Sequence, residues 1–137
     1  MTENEMREYL ESHFYASKKI KALEAERMQL RMDATGGATS FEGNNTTTKE
    51  NGTERKLMRL ADEEQKLDIQ IAELRRLQGE VRESIASLED NDLESVLIYR
   101  YIAYHTEEET AAGLNYAQRT VQEKIKKAIK KLCAKMC

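Results

Sequence analysis

Proline and tryptophan are absent from this 137-residue chain, and phenylalanine occurs only twice. Proline breaks a helix from within, because its ring removes a backbone donor and clashes with the preceding turn. Its absence therefore leaves long helices uninterrupted. Aromatic residues make up 6% and hydrophobic residues 39% of the chain, thin material for one large globular core. No stretch approaches the roughly 20 apolar residues that a membrane-spanning helix requires, so no membrane partner is expected. The opening MTENEMREYLESH has no basic segment leading into an apolar run, so no signal peptide is expected and the chain reads as cytoplasmic. The N-x-Thr triplets at Asn44, Asn45 and Asn51 are then chance matches to a glycosylation signal.

Cysteine is scarce as well. Cys133 and Cys137 lie four apart, on one face of a helix, but His13 and His105 are distant in sequence and no further ligand stands near. Reduced, inert thiols are expected rather than a metal site. Neither histidine has a nucleophile or an orienting acid beside it. There is no glycine-rich phosphate loop, no G-x-S-x-G and no H-E-x-x-H. An enzyme is not expected, nor is a cofactor.

Charge is plentiful, at 34% of residues, and it is organised. Residues 3 to 32 place Met6, Tyr9, Ala16, Ile20, Leu23 and Leu30 at alternating intervals of three and four, with His13 and Arg27 filling the gaps. Residues 54 to 89 repeat the pattern with Leu57, Leu60, Leu67, Ile71, Leu74, Val81, Ile85 and Leu88, interrupted at Glu64 and Gln78. This is the heptad rule of helices pressing one stripe against a partner. At about 1.5 Å per residue the two helices would span roughly 45 and 54 Å. Between them, residues 33 to 53 are rich in Gly, Asn and Thr and show no period, which predicts a flexible loop. Such a loop lets the two helices fold back as an antiparallel hairpin over residues 1–90, the arrangement expected; two chains pairing in parallel is the alternative the pattern leaves open. Met58, Ile69 and Leu77 lie off the seam and are expected to form a second stripe that packs on another subunit, giving a homo-oligomer.

After the Leu88–Asp92 punctuation the chain changes character. Leu93, Val96, Leu97, Tyr101 and Tyr104 mark one face of a helix of about thirteen residues, with Asp90 or Asn91 as its N-cap. Thr106 followed by Glu109 is a capping box that starts a second, short helix. Gly113 weakens its end, and Asn115 can take the left-handed conformation that closes it. A third helix runs from about Ala117 to Lys135, with Val121, Ile125, Ala128, Ile129 and Leu132 on its buried side. A short helix, a tight turn and a longer helix make a helix-turn-helix, in which the later helix enters the DNA major groove. The fold class expected is all-α: a coiled-coil hairpin over residues 1–90 followed by a three-helix domain over 91–137.

The segment LESVLIYRYIAYHTEEETAAGLNYAQRTVQEKIKKAIKKL resembles region 4 of bacterial sigma-70 factors. It is more similar still to phage and prophage regulators of the ArpU and RinA kind, which place a predicted coiled coil ahead of such a domain. The matches are Val96-Leu97, Arg100-Tyr101, Thr106 with Glu108 and Glu109, Leu114-Asn115-Tyr116, and Val121 with Lys127 through Leu132. Three positions depart: Thr110 and Lys124 stand where the family usually has Ile, and Ala117 where it has Ser or Thr.

The resemblance implies a transcriptional regulator that binds double-stranded promoter or operator DNA, with RNA polymerase as a further partner. By positional match it nominates Gln118, Arg119, Gln122 and Glu123 for base reading, a task their side chains suit. Lys126, Lys127 and Lys130 would meet phosphates, as would Thr106 at the start of the supporting helix. Charge distribution agrees: residues 117 to 137 carry net +6 and residues 1 to 90 net −5, and phosphate neutralisation dominates affinity for DNA. A lysine-rich last turn complementing its own helix dipole would give the same charge. The rival expectation is a non-enzymatic protein: an inhibitor, an interaction protein or a phage packaging component with a degenerate helix-turn-helix. The acidic first part and the pI of 5.6 speak for it.

Overall fold

The computed structural model describes residues 1–39 and 47–136, with side chains for 1–34 and 54–136. Five α-helices follow in order: α1 Glu3–Thr39, α2 Thr47–Ala86, α3 Asn91–Leu97, α4 Glu107–Leu114 and α5 Gln118–Met136, with a π-helical turn at Ile98–Ile102 after α3. No strand occurs among the described residues. The all-α class expected from the heptads is what the chain adopts.

The predicted loop at 33–53 takes in residues that belong to both long helices. α1 continues to Thr39 and α2 already starts at Thr47, while residues 40–46, with the triplets at Asn44 and Asn45, lie outside the described residues. Glycines and threonines of low helix propensity extend these helices because adding a residue to an existing helix requires no new nucleus.

The chain divides into two compact units, Lys18–Leu74 and Met1–Ser17 with Arg75–Cys137. In the unit Lys18–Leu74, Ile20 and Leu23 of α1 bury against Leu67 and Ile71 of α2, with Leu30 and Leu74 partly covered. Arg27 pairs with Asp68, and Arg31 Nε with Glu64 Oε1 at 2.6 Å. A step of four up α1 is a step of four down α2, so the helices run antiparallel. Exposed pairs of this kind add little to stability because solvent screens them; they set register instead. Leu57, expected on the seam, is instead 54% exposed. Of the second stripe, Met58 and Ile69 are exposed on the single chain, whereas Leu77 packs on the core of the other unit.

In the second unit the same antiparallel sense holds: Tyr9 Oη meets Ser84 Oγ at 3.3 Å, and Gln78 Nε2 donates to the His13 carbonyl at 3.2 Å. One apolar core joins Met6 and Leu10 of α1, Val81 and Ile85 of α2, Leu88 just beyond it, Leu93, Val96 and Leu97 of α3, Tyr101, and Val121, Ile125, Ala128, Ile129 and Leu132 of α5. Leu10 lies off the heptad seam and was not expected inside. It is buried because this end of α1 faces more than one neighbour, so its apolar stripe widens beyond the coiled-coil seam.

α3 starts as expected, with the Asp90 carboxylate accepting from the Asp92 and Leu93 amides at 3.1 and 3.2 Å. The helix then loosens. Ala103 N–H bonds back to the Ile98 carbonyl, and Tyr104 takes φ 61°, where a bulky residue is strained. Tyr104 is held there by contacts to α1: its hydroxyl lies 2.6 Å from His13 Nδ1, and its ring meets Phe14 edge-on at 5.0 Å.

Gly113 has a packing role that its sequence context concealed. A Cβ there would sit 2.6 Å from Tyr99 Cε1. Alanine for glycine ordinarily gains about 0.5–1 kcal/mol in a helix, and overpacking costs about 1–3. Gly113→Ala is therefore expected to lower the melting temperature, and in a Tyr99→Ala background the same change should raise it. Urea denaturation of the four proteins tests this, and a stabilising Gly113→Ala with Tyr99 intact would refute the steric account.

Candidate nucleic-acid interface

The segment 106–136 builds the turn and the helix that sequence reading placed there. Thr106 Oγ1 accepts the Glu109 amide at 3.1 Å and the Thr106 amide donates to Glu109 Oε1 at 2.9 Å, closing the capping box. α4 ends on Asn115 at φ 60°, ψ 43°. Of the departures from the family pattern, Thr110 is fully buried but satisfied, its hydroxyl donating to the Thr106 carbonyl at 2.8 Å. Lys124 lies over the Tyr116 ring, 5.1 Å from its centroid, and 4.0 Å from Asp92 Oδ2. Its stem covers apolar surface while its ammonium stays near charge. Ala117, before α5, offers no side-chain acceptor, so only its carbonyl serves, to Val121 N–H at 3.1 Å.

α5 buries Val121, Ile125, Ala128, Ile129 and Leu132. At 100° per residue the opposite ridge is Arg119, Glu123, Lys126, Lys127 and Lys130, all exposed. It carries four cations and one carboxylate. The Arg119 side chain is 88% exposed and pairs with Glu123 one turn on, at 3.4 Å. Gln118 and Gln122 are exposed although they stand seven residues before Ile125 and Ile129, on the side of the first turns that leads toward the buried face; Gln122 Nε2 donates to Glu107 Oε1 at 3.3 Å. Lys127 of the ridge and Lys131 beside it lie near the Asp90 carboxylate, and Lys135 donates to the Ser87 carbonyl.

Thr106 fits its expected phosphate role poorly. Its amide and its hydroxyl acceptor are taken by the capping box, and Glu107, Glu108 and Glu109 crowd the same first turn. Three carboxylates at that helix terminus repel an anion that the bare backbone amides would attract.

An open groove of about 390 Å³ lies beside the ridge, lined by Arg7, Glu107, Arg119, Gln122, Glu123, Ile125 and Lys126. Arg7 belongs to α1 and carried no signal in the sequence, since on the heptad it is one polar residue among many. A second cleft, about 260 Å³, is lined by Glu11, Phe14, Tyr15, Arg100, Tyr101 and Tyr104. Burial pushes the Tyr101 phenol up, and the Arg7 and Arg100 guanidiniums oppose the rise. Cys133 is half-buried against the core; Cys137 lies outside the described residues. Among the described residues no cluster of three His, Cys, Asp or Glu side chains could hold a metal, and no helix is long and apolar enough to cross a membrane.

The caps make the unit acid-sensitive. The Thr106 amide and then its hydroxyl hold Glu109 below its ordinary value of 4.5. The Leu93 amide, with help from Asp92 and the nearby lysines, holds Asp90 below 3.8. Burial lowers His13 from 6.5. All three groups are depressed on folding, so each contributes stability above its ordinary value and loses it as pH falls through the folded one. Melting temperature should begin to fall below about pH 6.5 and drop further through the carboxylate range. Asp90→Asn with Glu109→Gln should flatten the lower limb, and an unchanged pH profile would refute the cap assignment.

Compared with family models, curated proteins and solved structures, the chain matches none of them.

Proposed function

We propose that the protein is a DNA-binding transcriptional regulator of the phage type, with α4, the Asn115 turn and α5 as its helix-turn-helix. The observation that carries this reading is the cationic ridge of α5, exposed along Arg119, Lys126, Lys127 and Lys130 behind a capped supporting helix. A helix laid in the major groove needs such a face: Arg119 and Gln122 suit guanine and adenine edges, and the lysines suit phosphates. Gln122 would have to exchange its bond to Glu107 for one to a base. Self-association through the long helices and contact with RNA polymerase belong to the same proposal. Fluorescence anisotropy with a random duplex at low salt tests it directly, since absence of binding even there removes the reading.

The aromatic cleft favours a second reading, an interaction protein without DNA activity. Phe14 and Tyr15 are 38% and 61% exposed there, and exposed aromatics are common anchors in protein interfaces. Retention of a partner that Tyr15→Ala abolishes, with no DNA binding, would decide for it.

A further inference from the structure

We propose that Arg7, on the first turns of α1, is part of the DNA-binding surface and neutralises a backbone phosphate beside the α5 ridge. The proposal rests on the DNA-binding reading above and extends it to a helix that the sequence assigned to structure alone.

Arg7 lines the same open groove as Arg119, Gln122, Glu123 and Lys126, so whatever occupies that groove against α5 also meets α1. The groove wall holds three cations, Arg7, Arg119 and Lys126, against the carboxylates Glu107 and Glu123. Glu123 is paired with Arg119, and Glu107 accepts from Gln122. Of the three cations Arg7 alone comes from outside α5. Its backbone is anchored by the adjacent Met6, which is fully buried in the core that holds α5. The Arg7 side chain is half-buried and near the Tyr101 phenol, which sits on the same core. It is therefore placed by two rigid elements and requires less ordering on binding than a lysine on a free surface. A planar guanidinium also matches the fork geometry of phosphate oxygens. A duplex docked on the α5 ridge with one strand along this groove would bring a phosphate to Arg7 while α5 addresses base edges.

The test is a salt titration of the full-length chain on a labelled 30-base-pair duplex, comparing wild type, Arg7→Gln and Arg7→Lys, with melting temperatures as the control for folding. One phosphate contact contributes about 0.9 to the slope of log affinity against log salt, so Arg7→Gln should bind about eightfold more weakly at 0.1 M salt and converge with wild type near 1 M. Arg7→Lys should recover most of the slope. A wild type that binds while Arg7→Gln keeps its full affinity and slope overturns the Arg7 assignment and leaves the regulator reading standing. Loss of affinity in Arg7→Gln with an unchanged slope overturns the assignment too, because it marks a structural role. A wild type that fails to bind the duplex at all removes both.

Discussion

Leu10→Ala lowers the free energy of unfolding by about 2–5 kcal/mol and speeds amide exchange along α5. Leu10 is far from α5 in sequence, yet both belong to one core. Its side chain has no exposed surface and packs in the cluster that contains Val81, Ile85, Leu97, Ile125 and Ile129. Truncation there opens a cavity in a core to which α1, α2, α3 and α5 all contribute. The measurements are guanidinium denaturation and hydrogen exchange at Val121 to Leu132. Were the three-helix segment an independent domain beyond residue 90, α5 protection would be untouched by a change in α1, and that result would refute the shared core. The exposed ridge of α5 is only as rigid as the core beneath it, and that core includes Met6 and Leu10 of α1.

Arg119→Ala with Gln122→Ala is expected to abolish preference for a selected DNA site over random duplex. Each bidentate contact contributes about 1–3 kcal/mol of discrimination, so losing two should reduce the preference by between ~30-fold and ~20,000-fold. Lys126→Ala with Lys127→Ala should behave differently. Two phosphate contacts account for about 1.8 of the salt slope, so affinity should fall on all sequences while preference survives. The contrast separates reading from positioning, and all four side chains are exposed. Selection of bound DNA from a random pool supplies the site, and titrations at several salt concentrations supply both quantities. Equal loss of preference in both variants would refute the division of labour. Retained preference in the first would refute the assignment of Arg119 and Gln122.

Much of this architecture was legible one residue at a time, where the cause is local. Asp90, Thr106 with Glu109, and Asn115 announce helix ends because caps satisfy backbone groups two or three residues away. The period of α5 marks its buried face because an amphipathic helix repeats every turn. Leu57 and Leu77 misled for the opposite reason, the first lying exposed and the second packing within its own chain. A periodic pattern states which face is apolar, not which neighbour covers it. Gly113 looked like a weak helix end; its proximity to Tyr99 depends on how α4 meets the preceding turn.

By itself the sequence determined the helical class, the two long heptad helices, the caps and the exposed cationic ridge of α5, since helix periodicity and capping act within a few residues. Only the tertiary structure decided that Met6 and Leu10 share a core with α5, that the compact units divide at Ser17 and Leu74, and that Arg7 lines the groove beside Arg119. Those facts depend on where chain segments distant in sequence meet, and burial is a property of that meeting rather than of any one segment's pattern.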